Sequence, residues 1–109
     1  MKTVSVDKIV EQYEQLRDLV STKVTDQDNV TAINKMLEDF AERIMSAPAS
    51  GRLNYHNCFV GGFIDHTLRV QDTAFMVRDL LQTRGVEVNA TDEEIFLAAV
   101  FHDWGKLGT

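Results

Sequence analysis

Apolar residues recur at intervals of three and four along most of this chain, whereas apolar and polar residues alternate over no useful length. The first spacing places apolar side chains on one face of an α-helix, and a half-buried strand would need the second. The short stretch 86–90 (VEVNA) is the one strand-like segment. The pattern therefore predicts an all-α fold, a helical bundle of about four main helices.

The first two predicted helices are separated by the polar stretch 21–29 (STKVTDQDN). Asp28 or Asn29 is placed to cap the second helix, since a short polar side chain accepts hydrogen bonds from the free backbone N–H groups of a first turn. Pro48 is expected to end that helix, because proline lacks the amide hydrogen.

The third helix is predicted over 62–83, followed by Gly85 in a left-handed conformation. The fourth begins with the capping-box sequence 91–94 (TDEE) and is expected to end at Gly105. Each predicted helix has an apolar stripe that is expected to face inward. The four stripes are Val6, Ile9, Val10, Tyr13, Leu16, Leu19 and Val20; Val30, Ile33, Leu37, Phe40, Ala41 and Ile44; Phe63, Val70, Ala74, Val77 and Leu81; and Ile95, Ala98, Ala99 and His102.

A length of 109 residues suits one compact domain. We expect residues 1–48 to form an N-terminal helical hairpin that packs on residues 49–109. The net charge of -6 argues against a non-specific binder of nucleic-acid backbones. The one cysteine, Cys58, excludes an intrachain disulfide and suits a reducing compartment. Because no apolar run reaches the roughly 20 residues of a membrane span, and the N-terminus is charged too early for a signal peptide, we expect no membrane association and a cytoplasmic location.

Two histidines and an aspartate are predicted to face the interior. His66 lies beside the stripe of the third helix, and His102 lies on the apolar face of the fourth, followed by Asp103. A buried carboxylate is costly unless it is paired or bound to a cation. Adjacent residues point about 100° apart on a helix, so both reach one ion only near a helix end, where this pair falls. Imidazole and carboxylate ligands suit Mn, Fe, Co, Ni or Zn, and Mg less well.

These residue types alone leave metal binding open. The alternative to metal binding for each histidine is a core residue whose ring is hydrogen-bonded within the protein. For Asp103 the alternative is a hydrogen bond to a neighbouring backbone amide. The wider pattern is more specific. Segment 56–70 reads HNCFVGGFIDHTLRV. After His66, 35 residues separate it from His102, which is the first residue of the segment 102–107 (HDWGKL).

This pattern resembles the HD-domain superfamily of metal-dependent phosphohydrolases. Members have a helix with the segment GG-x-x-x-HT and a later helix that ends in HD-x-GK. The resemblance covers about residues 50–107, so that residues 49–109 are expected to be an HD-domain segment with the metal motif. The matching residues are Gly61, Gly62, His66 and Thr67 in the first element, and His102, Asp103, Gly105 and Lys106 in the second.

The resemblance implies a role for each matching polar residue. His66, His102 and Asp103 are the implied metal ligands, and Asp103 is also the implied catalytic residue, which contacts the metal-bound water or a second metal. A divalent metal lowers the pKa of that water, which would attack a phosphorus. Lys106 is implied as catalytic and as a substrate contact that neutralises phosphoryl oxygens. The implied cofactor is one divalent metal (Mn, Fe, Co, Ni, Zn or Mg).

Two residues of the preceding loop are further candidates for substrate binding. His56 is placed to contact a substrate phosphate or a second ion, with an ordinary polar loop residue as the alternative. Arg52 is a candidate phosphate contact, with a solvated arginine as the alternative. The glycine pair at 61–62 suits either a phosphate cradle or a close backbone approach at the start of the helix. Trp104 is expected to pack over the site or into the core.

The implied function is therefore a metal-dependent phosphohydrolase acting on a nucleotide or phosphodiester through a metal-activated water. The partner would be a small phosphate-containing substrate such as a nucleotide. Family members supply a further aspartate from a later helix, whereas this sequence ends at Thr109 with no aspartate after Asp103. We therefore expect a fragment, a split enzyme or a degenerate member, with weak or no activity of the isolated chain.

The alternative function is a non-catalytic, truncated helical module that works by protein–protein association. The later helices of the family also cover the bundle. Without them, the apolar face around Ile95, Ala99 and Val100 is expected to lack a cover. Exposed apolar faces of this kind usually bind a partner. This alternative predicts a homo-oligomer or a complex with another protein, and little effect of metal.

Overall fold

The computed structural model describes residues 5–48 and 61–104, and within them five α-helices and no strand. The all-α prediction is confirmed, and the stretch 86–90 has no regular secondary structure. No helix in this part of the chain combines the length and the apolar character that crossing a membrane would need. The helices are α1 (Val6–Lys23), α2 (Gln27–Asp39), α3 (Ala41–Ser46), α4 (Gly62–Thr83) and α5 (Asp92–Phe101).

Helix α1 lies at the centre of the arrangement, because it packs against each of the other four helices. Helices α4 and α5 pack closely against each other, and α4 also contacts α1 and α3. Side chains from all five helices form one hydrophobic core. The fully buried large side chains of that core are Leu16, Val20, Leu37, Ile44, Phe63, Ile64, Phe96 and Val100.

The start of α2 differs from the prediction by two residues. Asp26, not Asp28 or Asn29, is the capping residue. Its Oδ1 accepts hydrogen bonds from the backbone N–H groups of Asp28 at 2.9 Å and Asn29 at 3.3 Å. The sequence offered three short polar side chains in four positions, and the first of them caps because its backbone is extended while the next residues are already helical.

The predicted second helix is divided in two at Phe40, which ends α2 and begins α3 with φ -108° and ψ 14°. The division is local. The Phe40 N–H still donates to the Met36 carbonyl at 3.0 Å, and the Ile44 N–H donates to the Phe40 carbonyl at 2.8 Å. The expectation of one continuous helix was therefore wrong, because the apolar spacing continues across the break and neither glycine nor proline marks it.

A buried hydrogen bond joins α1 to the end of α2. The Tyr13 hydroxyl donates to the Leu37 carbonyl at 2.8 Å. Burial raises the pKa of the Tyr13 phenol. An exposed ion pair between Arg17 and Glu38, at 2.9 Å, lies at the same junction. These contacts hold the two helices of the predicted N-terminal hairpin together.

The ends of α4 and the start of α5 confirm two local predictions. Gly85 follows α4 with φ 83°, and its N–H donates to the Gln82 carbonyl at 3.0 Å. Thr91 and Glu94 form the full capping box, with the Glu94 N–H donating to the Thr91 hydroxyl at 3.1 Å and the Thr91 N–H donating to Glu94 Oε1 at 2.9 Å. Helix α5 ends at Phe101, earlier than the predicted Gly105.

Parts of the predicted inward stripes are exposed. On α1, Val6 and Val10 are exposed, and the buried face includes Gln12, which is not part of the predicted stripe. On α4, Val77 and Leu81 are exposed, since this 22-residue helix extends past α1 and its buried residues all lie in its first ten positions.

The buried face of α5 also differs from the predicted one. Phe96, Ala99 and Val100 face the core, whereas Ile95 is half-buried and Ala98 is exposed. Helix α5 is apolar around most of its circumference, so the spacing of three and four did not distinguish its two possible inner faces.

Candidate metal centre

The three predicted ligands lie together where the first half of α4 meets the end of α5. His66 comes from the second turn of α4, His102 is the residue that caps α5, and Asp103 follows it. Asp103 Oδ2 lies 3.0 Å from His102 Nε2 and 3.4 Å from His66 Nε2. One ligand atom from each residue lies within 4.8 Å of the other two. The two imidazole rings are tilted by 52° with centroids 5.5 Å apart.

The start of α4, which determines the position of His66, is fixed by contacts of the backbone. Gly61 precedes the helix with φ 85°, and a Cβ atom there would lie 2.7 Å from Ile9 Cγ1 on α1. The Phe63 N–H donates to the Ala47 carbonyl at 3.0 Å. Close packing of α1 therefore accounts for glycine at position 61, which was one of the two alternatives drawn from the sequence.

A polar contact between helices supports the same turn of α4. Gln12 Nε2 on α1 donates to Asp65 Oδ1 at 2.9 Å, and Arg69 Nε donates to Asp65 Oδ2 at 2.9 Å. Asp65 and Arg69 therefore form an ion pair beside His66 and outside the group of three ligands. Arg69 is an exposed residue of α4.

The backbone at the end of α5 determines the tautomer of His102. Its Nδ1 lies 2.6 Å from the Ala99 carbonyl oxygen. A carbonyl oxygen only accepts, so Nδ1 carries the proton that is donated. In the neutral ring, Nε2 is then left with a lone pair directed toward Asp103 Oδ2. Two acceptors 3.0 Å apart repel each other unless a proton or a cation lies between them.

The distances between the ligand atoms agree with a common ion. Two ligand atoms, each about 2.1 Å from a metal, are separated by about 3.0 Å at a right angle and about 3.4 Å at the tetrahedral angle. The two separations from Asp103 Oδ2 are 3.0 and 3.4 Å. The distance of the carboxylate from each imidazole is therefore compatible with a shared first-row divalent metal.

The site is at the edge of the bundle and not within it. The side chains of His66, His102 and Asp103 are 30%, 36% and 21% exposed. The expectation that His102 faces the interior was wrong. Helix α5 ends at Phe101, one residue before His102, and the imidazole ring turns back toward the Ala99 carbonyl. This partial exposure leaves a path for water and a substrate to the ligand atoms.

Thr67 departs from its expected hydrogen bond. Elsewhere in the helices, Thr22, Thr31 and Thr83 each donate to a carbonyl four residues earlier, at 2.9 to 3.0 Å. The Thr67 hydroxyl is buried and has no hydrogen-bond partner within the part of the chain that the structure describes. Thr67 therefore packs as a core residue.

Several predicted site residues lie outside the described residues. They are Arg52, His56 and Lys106, the candidate substrate contacts, together with Cys58 and Gly105. Their roles stay predictions.

An apolar groove of about 550 Å³ runs between α4 and α5 and reaches His102 at one end. Val70, Ala74, Val77 and Leu81 of α4 contribute to its lining. Ile95 and Ala98 of α5, which were expected to face the core, also line this groove. A second groove, of about 610 Å³, lies between α1 and α4 and is lined by charges of both signs. None of the three ligands lines this second groove.

Sequence reasoning missed two features of the site. The first is the Ala99 carbonyl, which orients His102 and has no signal in the side-chain pattern. The second is an aromatic cluster around Trp104, whose nearest ring is that of Phe101 at a centroid distance of 5.0 Å. The aromatic residues were visible in the sequence, but their convergence depends on the break at Phe40 and on the early end of α5.

Comparison with known proteins gives one relative of known activity. The chain is 31% identical over 101 residues to dihydroneopterin 2',3'-cyclic phosphate phosphodiesterase of Methanocaldococcus jannaschii. The match includes 90% of this chain and 39% of that enzyme, so the chain spans about two fifths of the relative's length. No protein-family model and no solved structure matches the sequence significantly. The chain is therefore similar to part of a phosphodiesterase and has its three potential metal ligands within 4.8 Å of one another.

Proposed function

We propose that this chain belongs to the HD-domain superfamily and that it binds a divalent metal as part of a phosphohydrolase site. The observation that carries the proposal is the meeting of His66, His102 and Asp103, with one atom of each within 4.8 Å of the others. The contact of His102 Nδ1 with the Ala99 carbonyl supports it, because it leaves Nε2 on the side of the ring that faces Asp103. The similarity to a phosphodiesterase supports it independently.

The residues of the chain have distinct roles in the proposed site. His66 and His102 are neutral ligands held on two different helices, and Asp103 is the charged ligand between them. The metal would be Mn, Fe, Co, Ni or Zn, or less favourably Mg. A divalent ion held there would lower the pKa of a bound water and so supply hydroxide near neutral pH. Asp103 is also the carboxylate placed to accept a proton from the attacking water.

The proposed substrate is a small phosphodiester or nucleotide. The relative's name specifies a cyclic phosphate, in which hydrolysis breaks one phosphorus–oxygen bond and adds water to leave a monoester. Arg52, His56 and Lys106 are the proposed contacts to the phosphate, because cationic side chains stabilise charge on phosphoryl oxygens. The net charge of -6 favours a small substrate over a long polymer, which would need an extended basic face.

Metal content tests the site directly. We expect about one Mn, Fe, Co, Ni or Zn per purified chain by elemental analysis, and a large loss in the variant Asp103→Asn. Asp39→Asn is a matched control, because Asp39 is exposed and pairs with Lys35 on α2. Equal metal content in wild type and Asp103→Asn would overturn the proposed ligand set.

Hydrolysis of a 2',3'-cyclic nucleotide, followed chromatographically, tests the activity. We expect slow formation of a monoester that requires added Mn²⁺ and is abolished by a chelator and by Asp103→Asn. Protein that binds metal but hydrolyses neither this substrate nor a simple phosphodiester would show that this chain alone is not an active phosphohydrolase, while leaving the metal site in place.

The apolar groove between α4 and α5 favours a second candidate function, association with another protein or with a second copy of this chain. Exposed Val77 and Leu81 lie along it, and apolar surface of this kind is stabilised by a partner. Native mass spectrometry tests this function. We expect a dimer or larger species that Val77→Glu converts to monomer, whereas a monomeric wild type would argue against self-association.

A further inference from the structure

The proposed ligand pair His102–Asp103 lies just past the end of a helix. Helix α5 ends at Phe101, and His102 is its capping residue. Asp103 therefore lies in the turn that follows the helix. Its carboxylate lies 3.4 Å from His66 Nε2 on another helix. Packing of the residues next to this turn contributes to its position relative to α4.

Trp104, the next residue, makes contacts suited to that purpose. Its ring centroid lies 5.0 Å from that of Phe101, 6.1 Å from that of Phe40 and 6.5 Å from that of Phe63. The last two contacts are edge-to-face, with interplanar angles of 77° and 74°. Aromatic pairs at these distances prefer such tilted arrangements, and each stabilises the fold beyond the burial of its area.

These contacts link the two segments that supply the ligands. Phe63 is fully buried and lies three residues before His66, on the same face of α4. Trp104 directly follows Asp103. The contact between Trp104 and Phe63 therefore ties the position of the Asp103 backbone to the first turn of the helix that carries His66.

Phe40 adds a third fixed point. It lies at the break between α2 and α3, where its backbone has a non-helical ψ of 14°. Its ring makes an edge-to-face contact with Trp104 from a part of the fold that contributes no ligand. The indole is thus held between the end of α5, the start of α4 and the junction of α2 with α3.

We propose that Trp104 is a positioning residue for the metal site: it fixes the turn after α5 so that Asp103 meets both histidines. This inference rests on the metal site of the proposed function and concerns how that site is held together. The indole supplies no ligand atom, so its effect on the metal is through the placement of Asp103. Partners that orient metal ligands typically change metal affinity by about 10- to 100-fold when they are removed.

Co²⁺ titration by calorimetry, with helix content and thermal unfolding measured on the same samples, tests the inference. We expect Trp104→Ala to weaken Co²⁺ binding by at least about tenfold. Trp104→Phe keeps an aromatic ring and is expected to stay within about threefold of wild type. Val20→Ala is the control for lost stability, because Val20 is a fully buried residue of α1 and belongs to none of these aromatic contacts. It should lower the unfolding temperature and leave Co²⁺ affinity unchanged.

The single tryptophan gives a second, spectroscopic measurement. Co²⁺ quenches nearby indole fluorescence, so saturation of the site should reduce the Trp104 emission of wild type and not that of Asp103→Asn. If Trp104→Ala does not fold, Phe40→Leu replaces it and is expected to weaken Co²⁺ binding in the same direction. Folded Trp104→Ala with wild-type Co²⁺ affinity, or an equal loss in Val20→Ala, would overturn the positioning role alone. A wild type that binds no Co²⁺ would overturn the proposed metal site and this inference with it.

Discussion

His102 Nδ1 lies 2.6 Å from the carbonyl oxygen of Ala99, three residues earlier in the chain. This contact uses a carbonyl that the end of α5 leaves without a helical partner, and it turns Nε2 toward Asp103. A hydrogen bond on the far nitrogen is the usual way in which proteins orient a histidine ligand. The end of α5 at Phe101 therefore leaves the Ala99 carbonyl available, and this carbonyl orients the His102 ring for the proposed ligand geometry.

Replacing His102 should separate metal binding from folding. We expect His102→Ala to lose most of the bound metal and to unfold within a few degrees of wild type, because the side chain is 36% exposed and its loss leaves no cavity in the core. Elemental analysis and thermal unfolding by circular dichroism measure the two effects. Met76→Ala, an exposed change on α4, is the control and should alter neither. Unchanged metal content in His102→Ala would exclude His102 as a ligand.

Comparing alanine substitutions at Gly61 and Gly85 measures how much the close packing of α1 on the start of α4 contributes to stability. Both have positive φ, at 85° and 83°, so alanine at either position costs about 1–2 kcal/mol of conformational strain. Only at Gly61 would the added Cβ meet another side chain, that of Ile9 at 2.7 Å. We expect Gly61→Ala to lower the free energy of unfolding by about 2–4 kcal/mol and Gly85→Ala by about 1–2 kcal/mol, measured by urea denaturation. Equal losses of unfolding free energy in the two variants would mean that packing on Ile9 is not the reason why position 61 requires glycine.

The local features of this fold were predictable from the sequence, whereas several long-range ones were not. The all-α class, the capping box at Thr91 and the left-handed Gly85 follow from interactions within a few residues, which leave a direct signal. The break at Phe40 depends on packing against distant residues, and the apolar spacing runs through it unchanged. The exposed half of α4 was mistaken for core because apolar spacing shows which residues share a face, and not whether another helix covers that face.

The candidate site was also predictable only in part. The convergence of His66, His102 and Asp103 was predicted, because the motif spacing and the helix end specify where these side chains lie. The Ala99 carbonyl was not identified as part of the site, and Trp104 was expected over the site or in the core without its aromatic partners being identified. Their involvement depends on the exact residue where α5 ends, and helix ends are the least certain feature of a sequence-based assignment. The burial expected for His102 was wrong for the same reason.

The ion pair between Arg78 and Asp92 predicts a pH dependence of stability. The hydrogen bond from Arg78 is the main cause that lowers the pKa of the Asp92 carboxyl below its ordinary value. A lowered folded-state pKa stabilises the protein above the unfolded pKa of about 3.9, and this contribution is lost as pH falls through the folded value. We expect Asp92→Asn to unfold at a lower temperature than wild type at pH 7 and at the same temperature at pH 2.

Thermal unfolding at both pH values, with and without 1 M NaCl, checks this dependence. Salt should reduce the difference at pH 7, because the pair is exposed and therefore screened. Glu94, whose pKa is also lowered by its bonds to Thr91, is present in both proteins and cancels in the comparison. A difference of equal size at pH 7 and pH 2 would assign the effect to packing or capping and not to the charge of Asp92.

The last prediction concerns the buried hydroxyl of Thr67, the residue that follows the proposed ligand His66. Its hydroxyl is buried without a hydrogen-bond partner within residues 5–48 and 61–104, and such a group costs about 1–3 kcal/mol of desolvation. Valine has the same shape without the hydroxyl. We therefore expect Thr67→Val to raise the free energy of unfolding by about 1 kcal/mol in urea denaturation. Thr22→Val is the control, since the exposed Thr22 hydroxyl donates to the Asp18 carbonyl at 2.9 Å, and its replacement should change stability by less than about 0.5 kcal/mol. A loss of stability in Thr67→Val alone would show that the hydroxyl makes a stabilising interaction in solution, and would identify position 67 as more than a packing residue beside His66.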